Sequence, residues 1–442
     1  LKLVPSEVSF RVKGYAGEIG TQIYPAVMSV GYICGPRISS YMFAGGIVSW
    51  LVFIPAIVLF GNDLTLYPGT APIGEMFAAG GASAIWGSYI RYIGAGALAA
   101  GGIISLIKSL PLIIRTFRDA LKSMSGSKGT GNKRTEQDLS MKFLLIAILI
   151  LTLLVWLVPA IPVTLVGAII VVIFGFFFAT VSSRMVGLVG SSNNPVSGMA
   201  IATLLIATII LKITGDHGAH GMQGAIAIGS IICIVAAIAG DASQDLKTGY
   251  LLGATPKKQQ IGEMIGVIAA AFAIGGVLYL LDAAWGFGTE QLGAPQAMLM
   301  KMIIEGVMDG NLVFIGVFLA IAVEIVGIPV LPFAIGVYLP VQLNACIMVG
   351  GLVRLVFDKM NKEQKEKDAI ISDGILYCSG MIAGEGLVGI LLAIFAVFGL
   401  NDAIDLSSKL NLSTPVANIG SLVVFALIIL SLLKFSVWKK RK

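Results

Sequence analysis

Apolar runs long enough to cross a membrane alternate with short polar stretches along nearly the whole chain. A helix needs about 20 predominantly apolar residues to span a hydrocarbon core about 30 Å thick. Residues 38–60, 141–158, 163–181, 196–211, 222–239, 261–281, 374–398 and 416–433 meet or approach that length. The pattern therefore predicts an all-α, polytopic transmembrane helical bundle. Three further apolar stretches are interrupted. Residues 19–35 contain Pro25 and close on Gly35-Pro36-Arg37, while 74–107 is rich in small residues and reads as one crossing plus a half-helix. Residues 312–350 carry Gly327, Pro329, Pro332 and Pro340. Proline lacks an amide donor and disfavours helix at the residue before it, so these stretches predict proline- and glycine-broken helices. Residues 1–18 are polar, 110–122 have the pattern of an amphipathic surface helix, and 123–138 read as a flexible linker.

The sharpest interruption is Gly190-Ser191-Ser192-Asn193-Asn194-Pro195-Val196-Ser197-Gly198, between the apolar runs 163–181 and 199–211. Its composition predicts unwound backbone. Irregular backbone at bilayer depth survives only where protein or a water-filled cavity covers it, and helices broken in this way build the sites of many secondary transporters. The ordinary alternative is a connecting loop at the membrane surface. Under the first reading the freed N–H and C=O groups need partners, and Asn193 and Asn194 can both donate and accept. A helix starting at Val196 points its N-terminal dipole at any carboxylate beside Ser192, Asn193 and Asn194. Arg184, a turn or two earlier, supplies a full positive charge. The candidate substrate-binding set is thus Ser191, Ser192, Asn193, Asn194, Pro195, Ser197 and Arg184.

An internal repeat is readable. Gly31-Tyr32-Ile33 and Gly45-Gly46-Ile47-Val48 match Gly336-Val337-Tyr338 and Gly350-Gly351-Leu352-Val353 at one offset. With one gap, Glu18-Ile19 aligns with Glu324-Ile325, and the helices around Arg91-Tyr92 and Leu376-Tyr377 correspond weakly. Chance similarity between two glycine-rich apolar stretches is the competing explanation. Duplicated broken helices in corresponding positions point to a transporter site. The chain divides on this reading into a first repeat element (1–122), a cytoplasmic linker (123–140), central helices with the serine–asparagine break (141–311), and a second repeat element with the C-terminal spans (312–442).

Composition narrows the class. Of 442 residues, 57% are hydrophobic and only 12% charged, about half the charge of a soluble domain. The net charge of +6 is clustered in 108–142, 247–258, 354–367 and 434–442. These are expected as cytoplasmic loops under the positive-inside rule. Residues 62–72, 159–162, 214–221, 282–295 and 400–415 hold few lysines or arginines and are expected outside, which makes the two repeat copies run in opposite directions provided 312–350 crosses once; if it crosses twice, the charged loop after Arg354 falls outside. Basic residues are not interleaved with aromatics, so nucleic acid is not an expected partner. Cys34, Cys233, Cys346 and Cys378 lack CxxC spacing and read as reduced packing residues. A Walker A loop is missing, so ATP hydrolysis by this chain is not expected.

Ionisable residues inside or beside apolar segments carry the remaining chemistry: Glu18, Arg91, Arg184, Asp241, Glu324 and Glu385. At about 2.5–3.5 kcal/mol each they are too costly to face lipid together. They must face one another, backbone or water. The acids Glu324, Glu385, Asp241 and Glu18 are candidate proton carriers, and the arginines candidate carboxylate binders; a buried pair that merely fixes packing is the alternative for each. Asp241, Gln244, Asp245 and Thr248 share one helical face, as a Mg²⁺-diphosphate enzyme would want, but a second acidic cluster is missing. His217 and His220, three apart beside Asp216, could hold a metal, but a plain exposed turn is the stronger reading, and no metal or cofactor is expected.

Several of these segments resemble the oligopeptide transporter family, which includes the yellow stripe-like metal-chelate transporters. They are Val30-Gly31-Tyr32-Ile33-Cys34-Gly35-Pro36-Arg37-Ile38 with Met42-Phe43-Ala44-Gly45-Gly46, the 190–199 break, and Ala239-Gly240-Asp241 through Gln244-Asp245-Leu246-Lys247-Thr248-Gly249-Tyr250. Leu331-Pro332 through Pro340 and Ala383-Gly384-Glu385-Gly386 belong to the same likeness. Eukaryotic members carry Lys-Ile-Pro-Pro-Arg where this chain has Ala254-Thr255-Pro256-Lys257-Lys258, so the resemblance is to a prokaryotic-type member. It covers what looks like the C-terminal two-thirds of such a protein. The resemblance implies a non-enzymatic, proton-coupled importer of short peptides in the plasma (bacterial inner) membrane, with a homo-oligomer allowed. Uptake of metal–chelate complexes is the alternative, and an intramembrane enzyme or a passive channel the more distant ones.

Overall fold

The computed structural model describes residues 4–11, 14–126, 133–189, 196–215, 218–289, 292, 294, 297–298, 300–302, 304, 311–400 and 414–437. Among them, eight helices are long and apolar enough to cross a membrane, and Pro25–Cys34, Met199–Ile213 and Leu312–Ile325 are shorter apolar helices. The architecture is all-α and polytopic, in two compact units. One comprises Leu1–Leu98, Val277–Pro295 and Leu312–Lys442, the other Ala99–Gly276 and Gln296–Asn311.

The first unit opens with an antiparallel hairpin, β1 (Glu7–Arg11) and β2 (Glu18–Gln22), in register Val8↔Thr21 and Arg11↔Glu18. Helices α1 (Pro25–Cys34), α2 (Pro36–Ile47) and α3 (Ile54–Gly61) follow, with a π-helical segment Val48–Phe53 between the last two. Then come α4 (Ile73–Ile85), a second π-helical segment Trp86–Ile90, and α5 (Arg91–Gly126), which continues beyond this unit. The second unit contains α6 (Met141–Leu157), α7 (Leu165–Val189), α8 (Val196–Ile213), α9 (Gly218–Leu252) and most of α10 (Pro256–Trp285). The remaining helices are α11 (Asn311–Ile325), α12 (Val330–Tyr338), α13 (Val341–Asp358), α14 (Gln364–Val397) and α15 (Thr414–Ser436).

Helices α1 and α12 have 10 and 9 residues, so each rises only about 15 Å, half a hydrocarbon core. Both start on proline, Pro25 at the head of α1 and Pro329 as the cap of α12, and so do their successors, with Pro36 opening α2 and Pro340 capping α13. Proline suits these positions because its missing amide is one the helix would not use. Gly35 joins α1 to α2 at φ +83°, a left-handed conformation that favours glycine.

The two broken helices pack against each other reciprocally. A Cβ on Gly31 would collide with the Ile347 carbonyl, and one on Gly336 with the Met42 carbonyl. Gly45 likewise abuts the Phe333 carbonyl, and Gly350 the Met28 carbonyl. Gly46 meets Asn344, and Gly351 meets Ser39. The Ser39 hydroxyl donates to the Gly31 carbonyl at 3.1 Å, and the Asn344 amide to the Gly336 carbonyl at 2.8 Å. Every pair exchanges with its fellow under the same shift that aligns the repeat in sequence. This is the signature of a self-complementary, two-fold contact, here between the halves of one chain. Small residues let helix backbones approach in lipid, where no hydrophobic force drives them together.

The structure departs from the sequence pattern in five places. The polar 1–18 segment forms most of the hairpin, which packs on α13 and α15; the Ser421 hydroxyl ties it down through the Pro5 carbonyl at 2.7 Å. Residues 74–107 do not end in a half-helix with a separate surface helix after it: α5 runs unbroken through Pro111, and the real break is Gly81 inside α4, at φ +63°. Three of the four breakers in 312–350, Gly327, Pro329 and Pro340, lie between helices, whereas Pro332 sits in the first turn of α12, where its missing amide costs nothing. Asp241 and its neighbours continue α9 rather than following it. The end of the expected linker is strapped to the α9–α10 turn. Arg134 donates to Thr255 Oγ1 and the Gly253 carbonyl, both at 2.8 Å, and Lys257 N–H to the Gln137 carbonyl at 2.9 Å.

Candidate functional site

Ser191, Ser192, Asn193, Asn194 and Pro195 lie outside the described residues, and Ser197 is described only as backbone in the first turn of α8. Their flanks are well defined. Phe178, Val181 and Met185 of α7 and Met199 of α8 bury against Ile232 and Ala236 of α9, with Val196 packed on the same cluster. The Ser182 hydroxyl donates to the Ala236 carbonyl, and the Ser243 hydroxyl to the Ser183 carbonyl at 2.9 Å. Both ends of the break are therefore held on the part of α9 that leads into Asp241. Arg184, half-buried, follows directly on the Ser183 tie, and Asp241 precedes the other end of that tie by two residues. The second unit thus brings Arg184, the mouth of the break and Asp241 to one end of the α7–α9 pair. Asp241, Gln244, Asp245 and Thr248 are all exposed on one face of α9, as their spacing requires. His217 lies outside the described residues, and His220 is exposed in the first turn of α9.

Sequence reasoning passed over Glu263, about two turns into α10. Its Oε1 is buried without a hydrogen-bond partner, and the Asp245 carboxylate lies within electrostatic reach. The local sequence Gln259-Gln260-Ile261-Gly262-Glu263 looks like an ordinary polar helix start, with nothing in it to single out this acid.

The other three acids belong to the first unit. Glu18 is 4% exposed at the start of β2, and Arg11 directly across the hairpin donates to its Oε2 at 3.3 Å. The Arg11 guanidinium fills the space that a side chain at Gly81 would need, so the α4 break, the arginine and the buried acid form one assembly. Removing one partner of such a pair would leave an uncompensated buried charge. Glu324 is half-buried in the last turn of α11, directly ahead of the break that opens α12.

Glu385, half-buried on α14, makes the most directed contact. The Ala26 amide donates to its Oε2 at 2.7 Å. Because Pro25 has no N–H, Ala26 supplies the first free amide of α1, and the helix dipole adds its positive end. A carboxylate therefore sits on the N-terminus of one of the two half-length helices. Beside it, the Cys346 thiol donates to the Tyr24 carbonyl at 3.6 Å. Glu385 and the two acids with Arg11 lie in one unit, Arg184 and Asp241 in the other.

Comparison with known proteins identifies the family. The OPT oligopeptide transporter protein family model matches residues 3–396. A Haemophilus influenzae protein named as an oligopeptide transporter is 29% identical over 421 residues, covering 83% of this chain and 65% of that protein. An Arabidopsis thaliana protein named as a metal-nicotianamine transporter is 24% identical across 45% of this chain and 30% of its own length. A similarly named rice protein (Oryza sativa subsp. japonica) is 22% identical over 89% of this chain and 59% of its own. The chain thus spans less than two thirds of each of these relatives. With a family match running from the hairpin to the end of α14, over reciprocally packed broken helices, the chain belongs to the OPT oligopeptide transporter family.

Proposed function

We propose that this chain forms the transport core of a secondary active transporter that imports short peptides together with protons across the plasma (bacterial inner) membrane. The observation that carries the reading is the pair of half-length helices packed reciprocally, with the Glu385 carboxylate seated on the first free amide of one of them. Two matched halves meeting through bare backbone form an interface that can rock as rigid bodies about a fixed site. Protonating Glu385 weakens its hold on α1, so proton binding and the position of a broken helix become linked. Glu324 occupies the corresponding edge of the other break, and Asp241 lies beside the mouth of the 190–198 break. Glu18, already neutralised by Arg11, is the weakest carrier of the four. Substrate amides meet Ser191, Ser192, Asn193, Asn194 and Ser197, with Arg184 beside them and Pro195 keeping the break open.

A second reading, uptake of metal–chelate complexes, is favoured by the metal-nicotianamine transporters among the relatives. Purified protein in vesicles distinguishes them. Saturable accumulation of trialanine driven by an acid-outside gradient and abolished by a protonophore supports the peptide reading. Accumulation of ferric or zinc chelates alone supports the second. Non-saturating flux without a gradient would make the protein a channel, and Mg²⁺-dependent turnover in detergent an enzyme.

A further inference from the structure

Two π-helical segments occur in the first unit, Val48–Phe53 and Trp86–Ile90, and they pack on each other. π-Helical turns are rare and concentrate at functional sites. Each carries a tryptophan, Trp50 in one and Trp86 in the other, with ring centroids 6.3 Å apart. Arg91 follows directly on the second segment, with its guanidinium 5.6 Å from the Trp86 ring and 5.7 Å from the ring of Tyr338. Tyr338 ends α12, and the backbone holds it there: a Cβ on Gly94 would come within 2.6 Å of the Tyr338 Cα.

Three hydrogen-bond donors in this cluster are buried and have no partner: Nε1 of Trp50, Nε1 of Trp86 and Nε of Arg91. Trp50 is only 1% exposed. Orphaned buried donors are rare in folded proteins and call for an explanation. No salt bridge to Arg91 occurs among the described residues. The Tyr338 side chain hydrogen-bonds the guanidinium, but the Arg91 Nε and the two indole N–H groups remain without an acceptor. What complements them is a compact anionic acceptor. A carboxylate offers two oxygens with about four lone-pair sites, and a guanidinium matches its plane.

We propose that Trp50, Trp86, Arg91 and Tyr338 form a binding site for a carboxylate of the cargo, with the arginine as counter-charge and the indoles as flanking donors. The identity of that carboxylate, a peptide C-terminus or an acidic arm of a metal chelate, rests on the transport reading. The chemistry of the site does not.

The test measures binding to purified protein of trialanine, its C-terminal amide and ferric citrate, alongside vesicle uptake of the same ligands. Wild-type protein should bind the free acid about 10–100-fold more tightly than the amide, the range of one or two charge-assisted hydrogen bonds. Arg91→Gln should erase that preference by weakening the acid alone, and Arg91→Lys should keep part of it. Trp50→Phe and Trp86→Phe, which keep a ring and remove the donor, should each weaken the acid several-fold and leave the amide unchanged. Ferric citrate following the same series makes the chelate the source of the carboxylate. If a monodisperse Arg91→Lys or Trp86→Phe protein binds and discriminates as wild type does, the site is wrong even where uptake proceeds. Arg91-dependent binding of the acid without any uptake would uphold the site and overturn the transport reading.

Discussion

At Gly31, Gly45, Gly336 and Gly350 a hydrogen in place of a methyl group is what lets backbone lie on backbone. Overpacking a core usually costs about 1–3 kcal/mol, and here the obstacle is a carbonyl that no rotamer change can move. Gly31→Ala and Gly350→Ala should therefore lower the thermal unfolding midpoint of detergent-purified protein sharply. Gly380→Ala and Gly384→Ala, with open space around them, should leave it unchanged. The opposite ranking would mean that the reciprocal contact is not the one that holds the fold. The acids are read at the same scale. Glu324→Gln and Glu385→Gln keep an oxygen acceptor and lose the titrating group, so gradient-driven accumulation should fall more than tenfold while exchange of bound substrate persists. Equal loss of both activities would give these residues a structural role. The glycines were visible in the sequence as repeated motifs. What each one touches was not, because the partners lie some 300 positions away.

Among elements, the break at 190–198 separates a hypothesis of function from one of connection. Both flanks are buried on α9, so variants inside the break should not unfold the helices around it. Asn193→Ala and Asn194→Ala are expected to weaken substrate binding about tenfold with unchanged yield, at about 1–1.5 kcal/mol per lost hydrogen bond. Pro195→Ala should be worse, since it lets α7 and α8 join and removes the opening. Normal binding by all three, measured on purified protein, would reduce the motif to a loop. The long apolar helices and the proline-headed breaks were legible because period, length and missing amides are local properties. The hairpin was not. A two-stranded hairpin is marginal alone, and this one owes its place to α13, α15 and Ser421.

For the whole molecule, orientation is the open quantity that charge addresses. Lysine- and arginine-rich stretches are expected inside, so single cysteines introduced at 62–72 and 400–415 in a cysteine-free background should react with an impermeant reagent added to intact cells. Those at 123–138 and 359–368 should not. Labelling at 359–368 from outside would overturn the opposite orientation of the two repeat copies. Residues 401–413 lie outside the described structure, which makes that stretch a test of charge patterning alone.

The class, the approximate spans, the broken helices and the likeness between the halves were all legible in the order of residues alone. These follow from how much apolar surface each segment carries and where the chain lacks a donor or a side chain, and neither depends on distant partners. Tertiary structure decided which breakers break, since Pro332 is harmless in a first turn and Gly81 is not. It also decided which charges meet. Arg11 finds Glu18 only because a hairpin forms, and Glu385 reaches Ala26 only because α14 packs on α1, 359 positions apart. The same holds for Arg91, whose charge stood out in the sequence but whose neighbours Trp50, Trp86 and Tyr338 did not. Burial and pairing are properties of the assembled elements, and no local pattern in the sequence carries them.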